Sequence, residues 1–318
     1  LEPYSEWVMN YDDDSCALQR QFGEPGQQAF LELREFGERA GTSQVTIASK
    51  DFDRRQGDFK VALKPFDAKA HEVLGFNVRL GSGYEGKLFP LPIGRNDPQS
   101  AAAAKEFIMS DGTLTDSQKK LLVQAVDNMD DRRVLTRLAE NPEYQQVAQR
   151  VGEAYLGTQQ YRDQRSRLER TAEGILIEGA FIRALYLHTG ELHAPMEAMR
   201  TCLDELMSHW GIDVAAHKSL SRRATPVDMQ EIARQVQKTY PAEMIRKGME
   251  GYLHVRLNVS PDGEPTACYL QSPLNDEAFD KVACSALMEH AKFHPALDAQ
   301  GNPIASYFRT SILYSIAR

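Results

Sequence analysis

A glycine-rich segment near the middle of the N-terminal half has residue types and spacing that could bind a nucleotide. The segment Gly81-Ser82-Gly83-Tyr84-Glu85-Gly86 fits the G-x-G-x-x-G pattern of a dinucleotide-binding turn. That turn has to lead into a helix whose N-terminus meets the pyrophosphate. Here Lys87-Leu88-Phe89-Pro90-Leu91-Pro92 follows, and its prolines exclude such a helix. The segment therefore predicts a glycine-rich β-turn.

Histidines and carboxylates are the other residues that could hold a reactive group. His290 and His294 are four residues apart, as in a helical metal pair, but no Cys or carboxylate pattern completes a ligand set. The run Asp12-Asp13-Asp14 lacks the alternate ligands and the glycine of a calcium loop, so a solvated charge run is expected. No hydrolase, zinc-protease or phosphate-loop motif occurs. We predict no enzyme activity, no catalytic residue, no metal and no cofactor.

Charge and hydropathy exclude two further classes of function. The chain has 318 residues, with 45 acidic and 37 basic side chains and a formal net charge of −8, which argues against a nucleic-acid partner. No stretch of these residues is apolar for long enough to cross a membrane. Because the chain begins at Leu1 without Met, we expect a product from which a signal peptide or anchor has been removed.

The N-terminal two thirds change character twice. Residues 1–98 contain short apolar or alternating runs separated by Gly, Asp and Pro, which predict a β-rich domain with strands at 30–33, 45–47, 59–63 and 73–78. Residues 99–171 predict a helical hairpin, with helix starts at Thr115 and Asn141 and a polar, solvated end at 159–170. Strand character returns at 174–178 and 181–187. We therefore predict one β-rich domain, 1–98 plus 172–215, that carries the hairpin as an insertion.

The C-terminal part is predicted to be a small α+β domain. After a linker and leading helix at 216–237, residues 238–318 predict helix, strand, strand, helix and strand, which gives a three-stranded antiparallel sheet with two helices. The first strand alternates strictly between apolar and polar residues from Tyr252 to Val259. The turn Ser260-Pro261-Asp262-Gly263 joins it to the second strand. A helix capped at Asn275 and a last strand at 306–315 complete the unit.

Residues 238–316 resemble the C-terminal domain of TonB, the periplasmic energy transducer of Gram-negative bacteria. The residues that carry the resemblance are Tyr240-Pro241, Gly248 and Gly251, Val259-Ser260-Pro261-Asp262-Gly263, Phe279-Asp280 with Ala283, Phe293-His294-Pro295-Ala296, and Gly301 with Pro303. TonB itself begins with a membrane helix and a long proline-rich spacer, and neither pattern occurs within these 318 residues. The whole chain is similar to bacterial envelope proteins in which such a domain follows a β-rich module, a similarity that names no activity.

The resemblance implies a periplasmic location and a protein partner, such as an outer-membrane receptor or another envelope protein. In that family the domain binds an extended peptide by adding it to the sheet edge. The last strand is the expected docking edge, with Tyr307, Arg309 and Tyr314 as outward side chains that select the peptide. The full predicted site is Tyr307, Phe308, Arg309, Thr310, Ser311, Ile312, Leu313 and Tyr314.

The four cysteines permit two disulfides. Cys268 lies on the side of its strand that also bears Leu270, and Cys284 borders the apolar stripe of the following helix, so the two sulfurs can meet or can remain two buried thiols. The periplasmic resemblance favours the disulfide. Cys16 and Cys202 are then the remaining pair.

The sequence is compatible with three functions. The first is a non-enzymatic periplasmic protein that binds a partner by β-strand addition. The alternative is a TonB-type energy transducer whose membrane anchor has been removed. The second alternative is an enzyme or ligand-binding protein with its site in the N-terminal domain.

Overall fold

The protein is an α+β chain that divides into two compact units. The computed structural model describes residues 1–37, 42–53, 59–73, 75–92, 97–129, 134, 137–138, 141–247, 251–271 and 277–314. One unit consists of Leu1–Tyr11 and Cys16–Thr201, and the other of Asp12–Ser15 and Cys202–Arg318. The domain boundaries predicted from the sequence stay a prediction.

The first unit contains two antiparallel sheets. Its strands are β1 (Val8–Tyr11), β2 (Cys16–Phe22), β3 (Ala29–Glu35), β4 (Thr42–Ser49), β5 (Phe59–Lys64), β6 (His71–Val73), β7 (Phe76–Arg79), β8 (Glu85–Pro92), β9 (Gly174–Glu178) and β10 (Leu185–Leu187). The strand orders are β1-β2-β3-β4-β8-β7 and β10-β9-β5-β6. The two sheets share a core in which Phe59 of β5 and Phe89 of β8 meet edge to face, with ring centroids 5.3 Å apart.

Two strand predictions in this unit need correction. The run 73–78 is not one strand, because β6 and β7 belong to different sheets. Gly75 lies between them, where a Cβ would be 2.6 Å from the Phe59 ring, so the chain passes too close to the core for a side chain. The run 181–187 forms a strand only at β10, while Phe181 makes an isolated bridge to Phe52.

The segment that connects β8 to β9 in the sequence is helical, as the sequence indicates. Its helices are α1 (Pro98–Ser110), α2 (Asp116–Asp127), α3 (Pro142–Leu156) and α4 (Gln159–Thr171). The predicted capping box is present, since Thr115 and Gln118 each accept a hydrogen bond from the other's backbone N–H, at 3.3 and 3.1 Å. Asn141 caps α3 by accepting from the backbone N–H of Tyr144. The prediction of a single helical hairpin was wrong, because α4 is a separate helix with its own cap at Thr158.

The second unit has a three-stranded antiparallel sheet with helices on one side. Helix α5 (His193–His209) leads into it, and α6 (Val214–Lys218), α7 (Met229–Lys238), α8 (Ala242–Lys247) and α9 (Glu277–His290) follow. Its strands are β11 (Thr225–Pro226), β12 (Gly251–Val259), β13 (Pro265–Leu270), β14 (Phe293–His294), β15 (Ala296–Leu297), β16 (Pro303–Ile304) and β17 (Ser306–Tyr314). The sheet order is β13-β12-β17, and β11-β14 and β15-β16 form two small ribbons.

The alternation in β12 places its apolar side chains in the core of this unit. Leu253, Val255, Leu257 and Val259 are all buried against residues of α7 and α9 that include Ile232 and Leu287. The turn after β12 forms as predicted, with Gly263 at φ +82°. The helix cap predicted at Asn275 lies outside the described residues.

A disulfide joins Cys268 of β13 to Cys284 of α9, with Cα atoms 5.6 Å apart. It links the sheet to the helix that covers it. The pairing of Cys16 with Cys202 stays a prediction. Across the described parts of the chain, none of the helices combines the length and the hydropathy that crossing a bilayer requires.

Candidate docking edge and the sheet face behind it

The predicted docking strand β17 is an outer strand of the second unit's sheet. It pairs with β12 along nine residues, from Gly251 opposite Tyr314 to Val259 opposite Ser306. Within the described residues, the sheet has no further strand beyond β17. An outer strand presents half of its backbone N–H and C=O groups away from its neighbour, which is the geometry that strand addition uses.

The register shows which backbone groups of β17 point outward. Gln271 donates its backbone N–H to the carbonyl of His254 at 2.8 Å, so the backbone of His254 faces β13. His254 is opposite Ser311 on its other side. Because backbone direction alternates along a strand, Ser311 directs its N–H and C=O away from β12, as do Arg309 and Tyr307. Thr310 and Ile312 direct theirs toward β12.

The side chains of β17 divide between the two faces of the sheet. Phe308 and Ile312 pack at the margin of the core beneath α7 and α9. Ser311 is exposed on the opposite face, and its Oγ lies 3.0 Å from Nδ1 of His254. This contact pairs a hydroxyl with an imidazole on an exposed sheet face, so we interpret it as a polar cross-strand contact. Leu313 and Tyr314 pair with β12 through their backbones, and their side chains lie outside the described residues.

Tyr307 does not point outward to a partner, contrary to the prediction. It is only 8% exposed and packs with Met207 and Ile212 of the same unit. Its hydroxyl donates to Sδ of Met207 at 3.7 Å, and the His217 ring stacks on its ring at a centroid distance of 4.9 Å. An aromatic residue on a strand face is buried when another element covers that face, and no sequence pattern near Tyr307 indicated the covering element.

Arg256 occupies the centre of this covered face. Its guanidinium carbon lies 3.9 Å from the Trp210 ring centroid and 4.0 Å from that of Tyr269. The residue is 2% exposed, and its terminal nitrogens donate to Oδ1 of Asn258 at 2.7 Å and to Oδ1 of Asp14 at 2.8 Å. A desolvated guanidinium held between two rings and a carboxylate is a strong cation–π and ion-pair arrangement.

The segment Asp12–Ser15 is part of the same unit and completes this arrangement. The carbonyl of Asp13 accepts from Nε1 of Trp210 at 3.0 Å, and the carbonyl of Asp14 accepts from Nε2 of Gln271 at 3.0 Å. The sequence suggested that the acidic run is a solvated charge run. That prediction is wrong at Asp13 and Asp14, which are hydrogen-bonded within the second unit. We call Asp14, Trp210, His217, Arg256, Tyr269 and Tyr307 together the outer-face clasp.

The first unit contains a buried ionic cluster that the sequence did not predict. Glu169 of α4 has no exposed surface and accepts hydrogen bonds from Arg165 and Arg200, both at 2.9 Å. Arg165 also donates to Glu35 of β3 at 3.3 Å. Burial alone would lower the pKa of Arg165, but Glu35 and Glu169 raise it above its ordinary value. Leu168 and Glu169 of α4 are thus part of the interior, and the solvated end predicted for 159–170 is wrong at these residues. Gln159, Arg162 and Arg170 of the same helix are exposed, as predicted.

No metal or nucleotide site emerges from the residues that the sequence singled out. The described ranges contain no group of three or more His, Cys, Asp or Glu side chains that could hold a metal ion. His290 ends α9 and His294 lies in β14. Gly81–Gly83 is a single 3-10 turn that leads into strand β8 rather than into a helix, as predicted.

An antiparallel sheet with helices on one face and an outer strand beside them defines a small α+β interaction module. The family model described as the C-terminal part of the Gram-negative bacterial TonB protein matches residues 236–316. The C-terminal end of the chain is therefore a TonB C-terminal domain, as the sequence resemblance indicated.

Comparisons with individual proteins add little to this. The solution NMR structure of the TonB C-terminal domain of Pseudomonas aeruginosa is 18% identical, over 31% of this chain and 91% of that chain, with a TM-score of 0.25. A TM-score this low does not establish a shared fold. A search of curated proteins found no match to the chain.

Proposed function

We propose that this protein binds an envelope protein partner in the periplasm by adding an extended segment of that partner to the outer side of β17. A TonB C-terminal domain implies a protein-interaction role at the Gram-negative envelope. The observation that carries the finer proposal is the outward direction of the Ser311 backbone on an outer strand. The role is non-enzymatic, in keeping with the family in general. The energy-transducer alternative has no observation that favours it over this one.

The orientation of Ser311 allows a sharp test. Proline at a position of β17 whose N–H faces away from β12 removes one donor to the added strand without breaking the β12–β17 ladder. We expect the full-length Ser311→Pro chain to lose capture of its partners from Gram-negative envelope extract by at least about tenfold, because a lost backbone donor also blocks neighbouring pairing. Near-ultraviolet circular dichroism checks that the variant is folded.

Ser311→Ala is the matched control. It keeps the backbone N–H and removes only the hydroxyl, so capture by this variant should remain close to that of the unchanged chain. Equal capture by the proline variant and the unchanged chain would show that β17 is not the docking edge. Equal loss in both variants would assign binding to the Ser311 side chain and contradict strand addition.

A further inference from the structure

The two halves of β17 differ in exposure. Tyr307 is 8% exposed, whereas Ser311, four residues further along the same outer strand and on the same face of the sheet, is exposed. Outward backbone direction is shared by Tyr307 and Ser311, so the difference does not come from the strand itself. It comes from what covers the strand at its first residues.

The outer-face clasp lies at the covered half. Tyr269, Arg256 and Tyr307 come from β13, β12 and β17 in turn, so the clasp spans all three strands of the sheet. Trp210 contacts both Arg256 at 3.9 Å and Tyr307, with ring centroids 5.4 Å apart. His217 stacks on Tyr307 as well. The clasp therefore fills the outer face beside Tyr307 with side chains of this chain.

We infer that the outer-face clasp limits where along β17 a partner's strand can pair. It covers β17 at Tyr307 and leaves the exposed part of the strand at Ser311 for pairing. This inference rests on the proposed function, and it assigns the partner an extended segment that pairs at Ser311 and not at Tyr307, since pairing is residue by residue. Trp210 and Arg256 act through β17 and are positioning residues. Trp210 lies outside residues 236–316, so the match to the TonB family model does not itself imply this limit.

The partner's segment must also suit the two faces of the sheet beside which it would lie. On the helix side it would lie beside Ile312, at the margin of the core, and an apolar side chain would extend that core. On the outer side it would lie beside the Ser311–His254 contact, where a polar side chain can hydrogen bond. The accepted segment is therefore one whose residues alternate between apolar and polar.

Amide hydrogen exchange in the full chain, read residue by residue by NMR and without any partner, tests the clasp. In the unchanged chain the Tyr307 amide should exchange slowly and the Ser311 amide fast. Trp210→Ala should speed exchange at Tyr307 by at least about tenfold relative to the Val255 amide in the centre of the sheet. Trp210→Phe keeps a ring over Arg256 and should restore most of the protection.

Two results would overturn the inference. One is equal acceleration at Tyr307 and Val255, which would reduce Trp210 to a general contribution to stability. The other is a Tyr307 amide that already exchanges as fast as Ser311 in the unchanged chain. If Trp210→Ala does not fold, Asp14→Asn weakens the same clasp from its rim and is read in the same way. Because no partner is used, failure here leaves the Ser311→Pro capture test of the proposed function intact.

Discussion

Arg200 donates one hydrogen bond to each carboxylate oxygen of Glu169, at 2.9 and 3.0 Å, and the carboxylate has no exposed surface. This bidentate pair joins α5 to α4, and Arg165 joins the same carboxylate to Glu35 in the sheet. The cluster explains how the Glu169 carboxylate of α4 is held in the interior of the first unit. Charged groups can be buried when they are paired and hydrogen bonded.

Glu169→Gln should lower the free energy of unfolding by about 3–5 kcal/mol, because it leaves two arginines partly buried without their carboxylate. Urea denaturation measures the change. Glu197→Gln is the matched control, since Glu197 also pairs with Arg200 but is exposed, and its loss should cost less than about 1 kcal/mol. Similar values for the two variants would mean that the buried pair contributes no more than a surface pair.

Arg256→Met should lower the free energy of unfolding of the second unit by about 2–4 kcal/mol, because methionine packs between the rings but carries no charge for Asp14. The fluorescence of Trp210 should report the same transition. Asp14→Asn keeps a hydrogen-bond acceptor near Arg256 and should cost about 1 kcal/mol. An unchanged stability in Arg256→Met would show that the clasp is energetically neutral.

Gly263→Ala should destabilise the protein more than Gly301→Ala does. Both glycines have positive φ, +82° and +85°, and each substitution costs about 1–2 kcal/mol in backbone strain. At Gly263 the new Cβ would also lie 2.0 Å from the carbonyl oxygen of Phe293, whereas at Gly301 it would meet nothing within 4 Å. Thermal unfolding of the two variants isolates the steric part, and equal midpoints would contradict a close approach at Gly263.

Replacing both Cys268 and Cys284 by alanine should lower the free energy of unfolding by about 3 kcal/mol, because the bridge closes a loop between residues 16 positions apart. Guanidinium denaturation without reductant measures this. Adding reductant to the unchanged chain should reproduce at least this loss. A double variant as stable as the unchanged chain would show that the bridge does not constrain the unfolded state.

Asp298 should make the β15–β16 ribbon sensitive to acid. Its carboxylate accepts from the backbone N–H of Asn302 at 2.8 Å and of Gln300 at 2.9 Å, and these bonds lower its pKa below 3.8. A carboxyl whose folded pKa is depressed contributes stability above its unfolded pKa and loses it as the pH falls through the folded value. The difference in unfolding free energy between the unchanged chain and Asp298→Asn should therefore shrink below pH 3.8. A difference that stays constant there would exclude this ionisation.

Local sequence signals predicted the parts of the fold that local chemistry determines. The alternation from Leu253 to Val259, the Thr115–Gln118 capping box and the turn at Gly263 are readable because each depends on residues a few positions apart. The outer-strand position of β17 followed from the order of the elements. The burial of Glu169 in α4 could not be predicted, because a run of arginines and carboxylates has the same composition in water and in an ion-paired interior.

The clasp was hidden for a different reason. Arg256 appears in the sequence as one polar residue on the exposed side of an alternating strand, and Asp14 as one of three aspartates. Nothing in either neighbourhood indicates that they pair, since the contact is set by the tertiary path of the chain. Tyr307 was misassigned in consequence, because its exposure depends on Trp210 and His217 rather than on its own strand.

Asp14 and Arg256 are synthesised at different times. The two residues are 242 positions apart, so a ribosome working at about 5–20 residues per second makes Asp14 tens of seconds before its arginine. Throughout that interval Asp14 is without Arg256, the guanidinium that it binds in the folded second unit. A fragment that starts after Ser15 would lack this carboxylate altogether, however complete its family-matched region.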